Sequence, residues 1–141
     1  MRHTINIRKY NSQLLNQPGS VYCGRSRDKL GLGNPFSHLK NSQAKFKVAT
    51  LKESLEKYRE WLGKLIEAKL SKQTQKLEKW ERIYLKKVIK LAREIELGKI
   101  ETLVCFCVNK DNYKYVKKSP KSCHAEILYG ACCYLIRLKN A

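Results

Sequence analysis

Four cysteine and histidine residues lie at the two ends of one short connection in this sequence. Cys105 and Cys107 belong to an apolar run, residues 102–108, and Cys123 and His124 open a second apolar segment. Thiolate and imidazole groups can act as nucleophiles, as acid–base groups or as metal ligands. The types and spacing of these residues therefore mark the part of the chain where chemistry is expected.

Cys123 and His124 are the candidate catalytic residues. Cys123 precedes a predicted helix, and the helix dipole and the cation of Lys121 would both stabilise its thiolate. Such a thiolate could serve as a nucleophile, with His124 as a base or as a source of positive potential. Glu126 could cap the helix or orient a neighbouring group. These residues do not define a reaction, so enzymatic activity is left open.

The cysteines allow three interpretations: buried structural residues, a ligand or catalytic pocket, or a metal site. Strand alternation places Cys105 and Cys107 on the same face. The third interpretation is a zinc ion held by Cys105, Cys107, Cys123 and His124. The spacing of these residues counts against it, because Cys-x-Cys on a strand and adjacent Cys-His ligands are uncommon. Cys132-Cys133 illustrates the use of cysteine as a small apolar residue. We therefore predict no metal and no other cofactor, with zinc as the alternative.

A glycine-rich loop, residues 24–36, follows a predicted strand and ends in Gly-Asn-Pro-Phe. Glycines let the backbone approach an anion, and Arg25 offers planar donors for a phosphate or a carboxylate. We predict that Arg25, Gly33 and Asn34 bind a ligand and that Cys105 and Cys107 line the same pocket. The loop matches neither a Walker loop nor Gly-x-Gly-x-x-Gly, so a structural turn is the alternative.

Hydrophobic periodicity predicts the elements that position these residues. Residues 4–9 and 20–24 are typical of short strands, and residues 102–108 of a buried strand. Apolar stripes at helical spacing predict two long helices and a shorter last one from about Cys123 to Lys139. The first helix has a capping-box spacing at Thr50 and Glu53, and the second has Thr74 as a candidate cap and Gly98 as a candidate stop. The predicted fold is α/β, with a small, mostly parallel sheet of about three strands packed by helices.

The charge distribution favours a polyanionic partner. The sequence has 30 Lys and Arg residues against 12 Asp and Glu residues in 141, a formal net charge of +18. The excess lies in the N-terminal region, in residues 69–99 and in residues 109–121. Nucleic acid or a nucleotide is the expected partner, and solvated helix faces are the alternative explanation of the charge. The sequence does not identify protein partners.

The length fits a single α/β domain over residues 1–141, with residues 69–99 as a basic helical elaboration and residues 109–121 as a Lys-rich inserted loop. No apolar run reaches the length of a membrane span, and the polar N-terminus lacks the features of a secretory signal. We therefore expect a cytoplasmic protein with reduced thiols and no membrane partner.

Five short motifs follow one another along the chain: residues 21–25 (Val-Tyr-Cys-Gly-Arg), 32–36 (Leu-Gly-Asn-Pro-Phe), 58–62 (Tyr-Arg-Glu-Trp-Leu), 105–107 (Cys-Phe-Cys) and 123–128 (Cys-His-Ala-Glu-Ile-Leu). In this order they resemble the motifs of the domain of unknown function family DUF4326 of bacteria and their phages. The resemblance marks as signature positions Gly24, Arg25, Gly33, Asn34, Pro35, Phe36, Cys105, Cys107, Cys123 and His124. It implies no reaction. The chain departs from the family pattern in an extra Leu-Gly before residue 33, in Phe106 where tryptophan is usual, and in the insertion at residues 109–121. The second helix is also longer than usual.

Two functions follow from these observations. The first is a pocket for a phosphate-bearing ligand, a nucleotide or a nucleic-acid end, formed by the Gly-Arg and Gly-Asn-Pro-Phe loop together with the Cys-His helix start. The alternative is a non-enzymatic basic module that binds nucleic acid, or a subunit of a larger nucleoprotein assembly.

Overall fold

The computed structural model describes residues 5–9, 13, 17–24, 30–37, 45–105, 112–114 and 123–139. In these ranges the helices are α1 (Leu51–Leu70), α2 (Lys79–Glu96) and α3 (His124–Lys139). The strands are β1 (Asn6–Lys9), β2 (Ser20–Tyr22), β3 (Phe36–Ser37), β4 (Phe46–Lys47), β5 (Thr102–Cys105) and β6 (Asn112–Lys114). The predicted α/β class is confirmed.

The main sheet has the strand order β2-β5-β1-β6, and its first three strands are parallel. β6 adds an antiparallel edge strand, while β3 and β4 form a separate parallel pair. The predicted mostly parallel sheet is therefore confirmed. The sequence did not predict β3, β4 or β6, because two or three residues are too few to show a period. β6 lies inside the segment predicted to be an inserted loop.

The carboxyl ends of the three parallel strands lie at one edge of the sheet. β5 is between β2 and β1, and its last residue, Cys105, is in register with Lys9. On the other side Tyr22 is in register with Val104, and the Cys23 N–H donates to the Val104 carbonyl at 2.8 Å. Ligands of open α/β sheets bind at this edge. The residues at the ends of β2 and β5 therefore lie where such ligands bind.

α1 begins where the capping-box spacing predicts. The Glu53 N–H donates to Thr50 Oγ1 at 3.0 Å, which satisfies one of the free amides of the first turn. The buried face of α1 includes Tyr58, Trp61 and Leu65. Leu51, the first residue of α1, is 39% exposed because the helix meets the core one turn later.

α2 begins later than the sequence predicted. Thr74, the candidate cap, lies instead in a short 3-10 turn, Thr74–Lys76, and the helix begins at Lys79. The Glu78 N–H donates to the carboxylate of Glu81, so these two residues cap the helix. The predicted stop is confirmed, since Gly98 has a positive φ of 76° just after the helix end.

The helices and the sheet share an apolar core. It contains Ile7 of β1, Leu103 of β5, Leu65 of α1, Val88 of α2 and Leu128 of α3. Among the described residues, none of the helices has both the length and the apolar character needed to cross a bilayer.

Candidate functional site

Cys105, Cys123 and His124 come together at the carboxyl edge of the parallel sheet. One ligand atom from each residue lies within 4.8 Å of the others. The residues are 2%, 0% and 6% exposed, so the group is buried. β5 contributes Cys105 at its last position, and the other two residues lie at the start of α3. This group, called the Cys-His cluster below, could hold a metal ion.

Both ring nitrogens of His124 have protein neighbours. Nε2 is in hydrogen-bond contact with the carbonyl oxygen of Cys23, and Nδ1 lies 3.6 Å from Cys105 Sγ. A carbonyl oxygen only accepts, so Nε2 carries the proton of this contact. In the neutral imidazole Nδ1 is then the unprotonated nitrogen, and its lone pair faces the Cys105 sulfur. The contact with Cys23 also ties α3 to the end of β2, directly before Gly24.

Two buried tyrosines connect the Cys-His cluster to the loop before Gly33. Tyr58 packs edge-on against the His124 ring, with centroids 5.5 Å apart. Its hydroxyl is 2.7 Å from that of Tyr84, which donates to the Leu32 carbonyl at 3.0 Å. Burial raises the pKa of Tyr58 well above its ordinary value, and the neighbouring Tyr84 raises it further. The pair therefore stays neutral and acts as a structural link.

The Gly-Asn-Pro-Phe segment is held against α1 by hydrogen bonds. Asn34 donates through Nδ2 to Ser54 Oγ at 2.8 Å and accepts through Oδ1 from the Phe36 N–H at 2.9 Å. Ser54 Oγ donates in turn to the Phe36 carbonyl at 2.8 Å. The Gly33 N–H donates to Leu30 at 2.8 Å. These bonds give the segment a structural role, and its ligand-binding role stays a prediction.

The structure brings together three of the predicted site residues, Cys105, Cys123 and His124. Gly33 and Asn34 are in the segment packed against α1, and Tyr58 and Tyr84 connect the neighbouring Leu32 to His124. Arg25 and Cys107 lie outside the described residues, as does the inserted loop apart from β6.

Sequence reasoning missed three contributors to this region. The first is the Cys23 carbonyl, which no side-chain pattern reveals. The others are Ser54 and Glu81: Glu81 is buried and accepts from Trp61 Nε1 at 2.8 Å. Ser54 and Glu81 could have been found as polar residues on the buried face of a helix, because such residues need hydrogen-bond partners.

A groove of about 430 Å³ lies between α1 and α3. Arg59 of α1 and Glu126 and Tyr134 of α3 are among its lining residues. The lining includes no member of the Cys-His cluster and no residue of the Gly-Asn-Pro-Phe segment. Within the described part of the chain, this groove is therefore separate from the predicted pocket.

Comparison with known proteins identifies the family of this chain. No curated protein and no solved structure matches the chain significantly. A family model described as a domain of unknown function matches residues 5–132. The match extends from β1 into α3 and includes the whole Cys-His cluster. The chain therefore belongs to the DUF4326 family.

Proposed function

We propose that the protein binds a phosphate-bearing ligand, a nucleotide or a nucleic-acid end, at the carboxyl edge of its parallel sheet. The observation that carries this proposal is the contact between His124 Nε2 and the Cys23 carbonyl. It joins the start of α3 to the residue that precedes the Gly-Arg pair. The ends of two neighbouring parallel strands and a helix start thus converge, as in other α/β ligand sites.

In this proposal Arg25 makes the main contact with phosphate, since its guanidinium group can form two parallel hydrogen bonds with phosphate oxygens. Arg25 is two residues from Cys23 in the sequence. The net charge of +18 adds a favourable long-range field for an anion. Gly33 and Asn34 contribute by fixing the loop, because the Gly33 N–H and the Asn34 amide already bond within the protein.

Cys123 and His124 form the base of this site. Both side chains are buried. This burial favours a role in ligand binding, with Cys123 supporting His124, over direct attack by the Cys123 thiol. The described cysteines form no disulfide bonds, which fits a reducing compartment, the cytoplasm in this proposal.

The test is calorimetric titration with nucleoside monophosphates, nucleoside triphosphates and 5′-phosphorylated dinucleotides. Arg25→Ala should weaken binding by about tenfold or more, the usual cost of a lost hydrogen bond to a charged group. Arg59→Ala is the matched control, since it removes the same charge from the exposed face of α1. The proposal fails if no phosphate compound binds, or if the two variants lose affinity equally.

The second candidate function is non-enzymatic nucleic-acid binding, and a basic stripe on α2 favours it. Residues three or four positions apart lie on one helix face. Five basic residues of α2 follow this spacing, and all but the half-buried Arg82 are exposed: Lys79, Arg82, Lys86, Lys90 and Arg93. Next to Lys79, the Trp80 ring has the Lys45 ammonium 4.7 Å above it. Phe46 is 44% exposed beside Trp80, so a base could stack on this aromatic surface.

This second function predicts binding that weakens steeply with salt, because each neutralised phosphate releases counterions. The paired substitution of Lys79 and Lys86 by Gln should make the negative slope of log K against log salt shallower by about 2 on duplex DNA. The Arg59→Ala variant serves again as the control. Salt-independent binding, or no binding to any polynucleotide, excludes this function.

A further inference from the structure

We propose that the Cys-His cluster is a zinc site, with Cys105 Sγ, Cys123 Sγ and His124 Nδ1 as ligands. Zinc bonds are about 2.3 Å to sulfur and about 2.0–2.1 Å to nitrogen, so a tetrahedral zinc separates a sulfur and a nitrogen ligand by about 3.6 Å. The distance between Cys105 Sγ and His124 Nδ1 is 3.6 Å. All three donor atoms lie within 4.8 Å of one another, which leaves room for one ion between them.

The hydrogen bond of the other ring nitrogen supports this assignment independently. Histidines that bind zinc usually donate their second ring N–H to a carbonyl or carboxylate, which fixes the tautomer and the ring orientation. His124 Nε2 has such a partner in the Cys23 carbonyl. Nδ1, the nitrogen that faces the Cys105 sulfur, is therefore the unprotonated one, and its lone pair can bind the metal.

The charge balance of the site also fits a divalent ion. Two thiolates neutralise the charge of Zn²⁺, so the filled cluster has no net charge to bury. Binding converts two thiols to thiolates and releases two protons. Sulfur and imidazole ligands select zinc over magnesium and calcium, which prefer oxygen. A buried cluster without carboxylates is thus a poor site for the hard cations.

The sequence spacing argued against zinc because Cys-x-Cys and adjacent Cys-His are uncommon ligand pairs. In the structure the ligands converge from two elements, the end of β5 and the start of α3, and Cys123 and His124 both reach the same point. The ligands are therefore brought together by the tertiary fold and not by a local pair of closely spaced cysteines. With three protein ligands, the fourth tetrahedral position is open for water.

The test uses the full chain, purified under reducing conditions and freed of metal with a chelator, and titrated with Co²⁺ as a spectroscopic probe. We expect one Co²⁺ per chain, with thiolate-to-metal charge-transfer absorption and the intense visible bands of tetrahedral cobalt. One equivalent of Zn²⁺ should displace it. The wild-type spectrum alone decides the matter if the ligand variants do not fold. The absence of the thiolate band, or of a one-to-one end point, would overturn the proposal.

Variants identify the ligands. Cys105→Ser, Cys123→Ser and His124→Ala should each weaken Zn²⁺ binding by at least about tenfold in competition with a chelator. Cys132→Ser is the control, because Cys132 is equally buried on α3 but lies outside the cluster. Equal losses for Cys132→Ser and Cys123→Ser would contradict the assignment. The inference does not depend on the phosphate ligand, and metal binding is measured without it.

Discussion

The substitution Asn34→Ala tests whether the Gly-Asn-Pro-Phe segment is held by its own hydrogen bonds. Asn34 is 6% exposed, and its side chain bonds to Ser54 Oγ and to the Phe36 N–H. Leaving the Phe36 N–H without its partner costs about 1–3 kcal/mol. Ser54 keeps its bond to the Phe36 carbonyl, so the lost bond from Asn34 to Ser54 costs only about 1 kcal/mol. We therefore expect the free energy of unfolding to fall by about 2–4 kcal/mol.

Urea denaturation followed by tryptophan fluorescence measures this change, because Trp61 and Trp80 stack at 5.4 Å next to the segment. Gln75→Ala, an exposed residue of the 3-10 turn, is the control and should stay within about 0.5 kcal/mol of the wild type. An Asn34→Ala variant of unchanged stability that loses phosphate affinity would refute the reasoning. It would show that the Asn34 amide binds ligand directly and does not hold the loop.

Three further predictions concern the buried groups around the site. Glu81→Ala should lower the free energy of unfolding by about 2–4 kcal/mol in urea, because the Trp61 N–H loses its partner and α2 loses its cap; an unchanged midpoint would contradict this. Burial raises the pKa of both Tyr58 and Tyr84. Their contribution to the free energy of unfolding is therefore complete below about pH 10. Above this pH unfolded tyrosines ionise and the folded pair does not. The contribution then decreases by up to about 1.4 kcal/mol per pH unit for each residue. Denaturation at a series of alkaline pH values should show a shallower loss for Tyr84→Phe, and equal slopes would oppose the assignment. Burial also raises the pKa of the Cys132 thiol, so peptide mass spectrometry should find it unalkylated in the folded protein and alkylated in urea.

The local signals in the sequence were reliable where one short segment decides the structure. Thr50 caps α1 by accepting from the Glu53 N–H, and Gly98 follows the end of α2 with a positive φ, because both features depend on a few neighbouring residues. The position of the Cys-His cluster was also predictable. Parallel strands with a following helix bring a strand end and a helix start to one edge of the sheet.

The remaining features depend on contacts between distant residues. The Cys23 carbonyl accepts from a ring 101 positions away, and a main-chain oxygen has no sequence signature. The pairing of Tyr58 with Tyr84 looked like ordinary core periodicity, since each residue fits the apolar stripe of its own helix. Glu78 replaced Thr74 as the start of α2 because a buried Glu81, bonded to Trp61, fixed the first turn.

The most direct test of the account is amide chemical-shift mapping of the labelled full chain during titration with a 5′-phosphorylated dinucleotide. If the carboxyl edge of the parallel sheet is the binding site, the largest shifts will be those of Cys23, Gly33, Cys105 and His124. Shifts confined to the basic stripe of α2, or no shifts at saturating ligand, would contradict this claim.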